Sequence, residues 1–199
     1  MKSKKFSNVI ILILSVFPIV GFAQNLKKSG NEIALEQKVE NVLSRMSLEE
    51  KVGQMAQFTL DVLGKGGGLY ASYEPFELDP AMMDVVFGKY KVGSILNTSN
   101  NRARTTEVWE NIITNIQKKA IKETGIPVLY GIDSNHGTTY TAGGTLFPQE
   151  IGMAATFNPQ LVEKGSQISA YETRASNIPW TFNPTMDLGR DARWSRQWE

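Results

Sequence analysis

Two short stretches hold most of the side chains able to do chemistry. GIDSNHG (131–137) puts Asp133 where an apolar run ends, and His136 follows three residues later in a polar turn closed by Gly137. GRDARWSRQWE (189–199) gathers Arg190, Asp191, Arg193, Trp194, Arg196, Trp198 and Glu199 within ten positions. Guanidinium forks orient hydroxyls and carboxylates with fixed planar geometry, and an indole offers a flat apolar face that packs on the C–H surface of a sugar ring. Recognition of a sugar uses both. Each group also has a plainer use. Asp133 would serve as a cap or loop acceptor, His136 as a donor to a neighbouring carbonyl, and Arg190 or Arg193 as an internal tie to Asp187 or Asp191. Cleaving a glycosidic bond with retention takes two carboxyl groups about 5 to 5.5 Å apart. Asp133, Asp187, Asp191 and Glu199 qualify by type, and their spacing does not choose among them.

Composition narrows the chemistry further. The 199 residues contain no Cys and one His, so there is no thiolate nucleophile, disulfide framework or clustered imidazole set, and no metal or cofactor is expected. With 21 basic and 20 acidic side chains the net charge is +1, which supplies no broad field for phosphate backbones or anionic lipid; nucleic acid is not an expected partner. The GKGGG run (64–68) fits neither the dinucleotide nor the P-loop spacing and reads as a surface loop.

The N-terminus reads as an address. Lys2, Lys4 and Lys5 precede an apolar run from Val9 to Val20, and Gly21 and Ala23 stand three and one residues before a cut at Gln24. That pattern is a secretory signal peptide, residues 1–23. The run is about a dozen residues, where a bilayer span takes about 20, and Pro18 interrupts it. Losing 23 residues with three lysines and no acid takes the charge from +1 to −2. The mature protein is therefore expected in the periplasm or the medium, off the membrane once the signal is cleaved. Residues 24–32 read as a flexible lead-in, and 33–199 as the folded domain.

The elements that must position the reactive side chains follow from periodicity. Ile33 to Met46 reads as an amphipathic helix, and Ser47 with Glu50 forms a capping box for a second, short one. Strands are expected at 54–58, 92–96, 128–132 and 180–183. Asp79-Pro80 opens a helix over 80–90, and Asn158-Pro159 opens one to about Ser176. Thr105 starts a long helix with the stripe Val108, Trp109, Ile112, Ile113, Ile116 and Ala120, stopped by Gly125 and Pro127. Alternating strands and helices define an α/β class with a parallel sheet, in which Asp133 lies at the carboxyl end of a strand, facing a ligand. An open doubly wound sheet and a closed barrel both fit. A closed barrel takes about 250 residues, so the expectation is an N-terminal piece of a longer protein with unpaired sheet edges.

Taken together, the ordered motifs MSLEEKVGQM (46–55), VGSIL (92–96), IPVLYGIDSNHG (126–137), TLFPQEIGMAATFNPQLV (145–162), YETRA (171–175) and GRDARWSRQWE (189–199) resemble the N-terminal part of glycoside hydrolase family 3, β-glucosidase type. The resemblance implies an incomplete (β/α)8 TIM-type barrel, N-terminal portion only. It also implies an exported retaining exo-β-glycosidase that releases terminal non-reducing β-D-glucosyl residues from β-linked glucosides or oligosaccharides. In such enzymes the Asp of the GID motif and the last Arg of the RDxRWxR string grip hydroxyls of the terminal sugar, which transfers to Asp133 and Arg196. His136 matches a position near that subsite and takes a supporting role. Ala192 stands for the usual Pro and Ser195 for the usual Gly, which alters loop stiffness and leaves the arginines in place. The family's nucleophilic Asp, its acid/base Glu and a sugar-contacting Lys-His pair fall past Glu199, so no catalytic residue is assigned here and the isolated chain is expected to be inactive. A β-N-acetylglucosaminidase of the same family, or a non-catalytic carbohydrate-binding fragment, are the alternatives.

Overall fold

The computed structural model describes residues 29–66 and 71–197, so the signal peptide, most of the lead-in, part of the glycine-rich run, Trp198 and Glu199 lie outside the described residues. The chain divides into two compact units, one ending at Val42 and one starting at Leu43. Helix α1 (Gly30–Leu43), all but its last residue in the first unit, begins three residues before its hydrophobic spacing does. The reason is a reciprocal cap: Glu32 N–H donates to Ser29 Oγ at 3.3 Å and Ser29 N–H to Glu32 Oε2 at 2.6 Å.

The second unit opens with the expected capping box. Glu50 N–H donates to Ser47 Oγ at 3.2 Å and Ser47 N–H to Glu50 Oε2 at 2.9 Å, starting α2 (Leu48–Gln54). Because α2 runs on to Gln54, strand β1 (Gln57–Thr59) starts later than the apolar run suggests. Asp79 caps α3 (Pro80–Met83), its Oδ1 accepting from Ala81 N–H at 2.8 Å, and a π-helical turn (Asp84–Lys89) continues it. After β2 (Ser94–Leu96), Thr105 caps α4 (Thr106–Thr124). Helix α4 ends at Gly125, whose φ of 72° is a left-handed conformation that a side chain would strain. Strand β3 (Leu129–Ile132) is followed by a long loop, α5 (Glu150–Ala154), α6 (Pro159–Ala175) and β4 (Trp180–Thr181). The Asn158 cap is in place, accepting from Leu161 N–H at 3.0 Å.

The four strands are parallel and lie in chain order, β1-β2-β3-β4, with Phe58, Ile95 and Tyr130 in register and Leu96, Gly131 and Trp180 in the next row. The α/β class with a parallel sheet is thus observed. One face is sealed by helices: Ile95, Tyr130 and Ile132 are fully buried with Trp109, Ile113 and Ile116 of α4 and with Val86 and Phe87 of the π turn. Trp109 meets Tyr130 edge to face at 5.8 Å. Side chains alternate along a strand, so Leu129, Gly131 and Trp180 point to the other face. There Leu129 is 59% exposed and Trp180 40%. Gly131 makes room for the Phe182 ring, which a Cβ at that position would approach to 2.5 Å.

Helix α6 docks differently. Its buried positions are Gly165, Ser169 and Thr173; Gly165 faces the Phe147 ring, while Ser169 and Thr173 meet hydroxyls. Thr138 Oγ1 donates to Ser169 O at 3.2 Å, Thr173 Oγ1 donates to Ser134 Oγ at 3.2 Å, and Thr141 shares a hydrogen bond with Ser176 at 2.7 Å. The helix is pinned to the loop after β3 by a run of small polar contacts.

Candidate functional site

Asp133 is the first residue after β3, half-buried at the carboxyl end of the sheet. Its neighbour across the sheet is Asn97, the first residue after β2. Asn97 Nδ2 donates to Asp133 Oδ2 at 2.8 Å, and Asp133 N–H donates to Asn97 Oδ1 at 2.9 Å. Thr139 Oγ1 donates to the Asp133 carbonyl at 3.1 Å. Among the described residues, Asn97 bonds Asp133 Oδ2 and no protein group bonds Oδ1. A carboxylate held on one oxygen and open on the other accepts hydrogen bonds from a ligand hydroxyl with the extra strength that charge gives.

His136 is held on both sides of its ring. Its Nδ1 is hydrogen-bonded to Phe147 O at 3.0 Å, and its Nε2 to the Gln149 side-chain amide at 3.1 Å. Phe147 N–H returns a bond to His136 O at 2.7 Å. The ring thus ties the Asp133 loop to residues 147–149. The YETRA segment reaches the same loop from α6. Glu172 accepts from Thr145 N–H at 2.7 Å and from Thr145 Oγ1 at 2.8 Å, while Thr173 holds Ser134.

On the carboxyl ends of β1 and β2 sits a polar network for which the sequence carries no motif. Arg104, only 7% exposed, donates from Nη2 to Glu74 Oε1 at 3.1 Å and to Ser99, with its guanidinium over the Phe76 ring at 4.8 Å. Asn100 Nδ2 donates to Glu74 Oε1 at 3.1 Å and to Ser72 O at 2.8 Å, and Asn100 N–H donates to buried Asp61 at 3.0 Å. Burial drives the Tyr130 hydroxyl well above its usual range, against the opposing pull of Arg104, so it stays protonated and donates to Asn97 O at 2.7 Å.

The arginine-rich segment follows β4. Arg193 grips Asp191 with Nε–Oδ1 at 3.0 Å and Nη2–Oδ2 at 2.6 Å, and Arg193 N–H adds a bond at 3.0 Å. These bonds hold the Asp191 carboxyl below the usual carboxylate range. The internal tie weighed from sequence is therefore present for this pair, on an exposed surface where it contributes little to stability. Arg196 is exposed three residues further on. Among the described residues, no three His, Cys, Asp or Glu side chains gather closely enough to hold a metal ion.

Known proteins are similar to this chain in sequence and fold. A lysosomal β-glucosidase from Dictyostelium discoideum is 34% identical over 81% of this chain and 20% of its own length. A putative β-xylosidase from Formosa agariphila is 31% identical over 89% of this chain and 23% of its own. The crystal structure of an exo-1,3/1,4-β-glucanase from a Pseudoalteromonas species superposes with a TM-score of 0.65 at 31% identity, covering 87% of this chain and 20% of that one. The chain spans about a fifth to a quarter of the length of these relatives. Fold and likeness define an N-terminal domain of the glycosyl hydrolase kind, built on a parallel α/β sheet. The chain belongs to glycosyl hydrolase family 3, whose N-terminal domain matches residues 47–199.

Proposed function

We propose that this chain is the terminal-sugar-binding part of an exported, retaining exo-β-glucosidase. The carrying observation is Asp133: a half-buried carboxyl at the carboxyl end of a parallel strand, clamped through Oδ2 and with Oδ1 bonded by no protein group among the described residues. In this reading Asp133 and Arg196 grip hydroxyls of a non-reducing β-D-glucosyl unit, and His136 supports them by bracing the loop. The nucleophile and the acid/base fall outside residues 1–199, so the chain by itself binds sugar weakly and turns nothing over. The substrates are β-linked glucosides or oligosaccharides, and no cofactor takes part.

The strand order supports a barrel. A doubly wound sheet reverses its strand order at a switch point, whereas these strands advance one place at a time, as they do around a (β/α)8 wall. Exposed Leu129 and Trp180 sit on the face that a closed barrel fills with side chains. Export rests on residues 1–23 and agrees with a 26% identical periplasmic β-glucosidase of Salmonella typhimurium.

The experiment is a chromogenic assay on the complete gene product with aryl β-glucoside, β-xyloside and β-N-acetylglucosaminide side by side. Release from the glucoside is expected to dominate, and Asp133→Ala to lower kcat/KM by about 100-fold or more, the loss of a charged hydrogen bond and of sugar orientation. A folded protein that cleaves only the acetamido sugar, or an Asp133→Ala variant with full activity, overturns the reading.

A further inference from the structure

The asparagine beside Asp133 does more than fill space. Asn97 has a φ of 56°, a left-handed conformation that Asn adopts more readily than most residues that carry a side chain. Every polar group it has is engaged. Its N–H donates to Gly131 O at 2.9 Å, and its carbonyl accepts from Tyr130 Oη at 2.7 Å. Its amide nitrogen donates to Asp133 Oδ2 at 2.8 Å, and its amide oxygen accepts from Asp133 N–H at 2.9 Å. Tyr130 is itself fully buried and packed against Trp109. A rigid path therefore runs from the core of the sheet through Asn97 to a single carboxylate.

Other side chains fail one part of this arrangement. Aspartate keeps the length but has no N–H for Asp133 Oδ2, and it sets a second carboxylate against the first. Serine is too short to reach both the carboxylate and the backbone N–H. Glycine keeps the turn and removes the clamp. The backbone bond to Asp133 N–H fixes where the residue sits, and the bond to Oδ2 fixes how the carboxyl plane is turned. Together they leave Oδ1 as the carboxyl oxygen with no protein partner among the described residues.

We infer that Asn97 is a positioning residue for Asp133, aiming its free carboxylate oxygen at a hydroxyl of the bound glycosyl unit. This rests on the glucosidase reading and deepens it: discrimination for that hydroxyl is set by a residue just past the neighbouring strand, acting through Asp133. Misplacing an orienting group by about 1 Å costs on the order of 100-fold in rate, so the loss of the clamp has a measurable reach.

The test uses the complete gene product with an aryl β-glucoside and its monodeoxy analogues. Asp133→Ala first identifies the hydroxyl that Asp133 reads, as the analogue against which the variant no longer discriminates. Asn97→Gly is expected to lose most of that same discrimination at an unchanged melting temperature, with kcat/KM down about 10- to 100-fold and kcat falling more than KM rises. Asn97→Asp is expected to lose more. In an Asp133→Ala background, Asn97→Gly is expected to cost nothing further. Wild-type discrimination in folded Asn97→Gly and Asn97→Asp, or losses that simply add to that of Asp133→Ala, overturn the inference. If neither variant folds, Tyr130→Phe, which removes only the hydroxyl that holds Asn97 O, is expected to weaken the same discrimination, and full retention there overturns it. A wild-type protein that cleaves no β-glucoside overturns the glucosidase reading instead, and the inference with it.

Discussion

Glu74 shows how single residues are balanced at the rim of the site. Burial pushes its carboxyl up, but hydrogen bonds from Arg104 and Asn100, with the charges of Arg104 and Arg102, outweigh that and hold it below 4.5. A carboxyl that is more acidic folded than unfolded stabilises the fold above the unfolded value, and that contribution is lost as pH falls through the folded value. Glu74→Gln is expected to lower stability at neutral pH by about 1 kcal/mol. The difference from wild type should shrink as pH drops below 4.5, which urea midpoints across a pH series would show. A constant difference at all pH values would separate Glu74 from this network. At this scale the sequence exposes some residues and hides others. Asp133 stands out because it ends an apolar run, whereas Asn97 ends a similar run and is indistinguishable from any loop asparagine until β2 and β3 are set side by side.

Among the elements, α4 and α6 differ in legibility for a physical reason. The buried positions of α4 are Trp109, Ile112, Ile113, Ile116 and Ala120, a stripe that periodicity finds at once. Those of α6 are Gly165, Ser169 and Thr173, which carry no hydropathy signal: Gly165 leaves room for the Phe147 ring, and Ser169 and Thr173 meet the hydroxyls of the loop after β3. Thr173→Val keeps the shape and removes the hydroxyl shared by Ser134 and Thr138. It is expected to destabilise by about 1 to 3 kcal/mol, the cost of stranding buried polar partners. Since Ser134 is next to Asp133, the variant should also raise the susceptibility of residues 133–137 to limited proteolysis. Thr173→Ser, which restores the hydroxyl, should recover most of the loss; an unaltered melting temperature for Thr173→Val would show that the ladder carries no weight. The strand edges are less legible: α2 runs through Gln54, where the expected strand begins, and β1 starts at Gln57.

Across the second unit, order is concentrated on one side of the sheet. The buried apolar cluster lies between β2, β3, α4 and the π turn, while residues 185–197 are almost wholly exposed. Amide exchange is expected to be slowest in β2, β3 and α4 and fastest in 185–197, with α6 between them, because opening free energy follows buried contact. Mass-spectrometric exchange checks this directly, and equal protection of 185–197 and α4 would contradict it. The sequence by itself determined the α/β alternation, the caps at Ser47, Asp79, Thr105 and Asn158, the α4 stripe and the family motifs, since each depends on neighbours a few residues apart. Only the tertiary structure decided that the strands advance in chain order, that Asn97 clamps Asp133, that His136 spends both ring nitrogens on residues 147–149, and that Arg104 is buried against Glu74. Those contacts join residues 11 to 36 positions apart, and partners at such separations are chosen by how helices and strands pack, which no local pattern records.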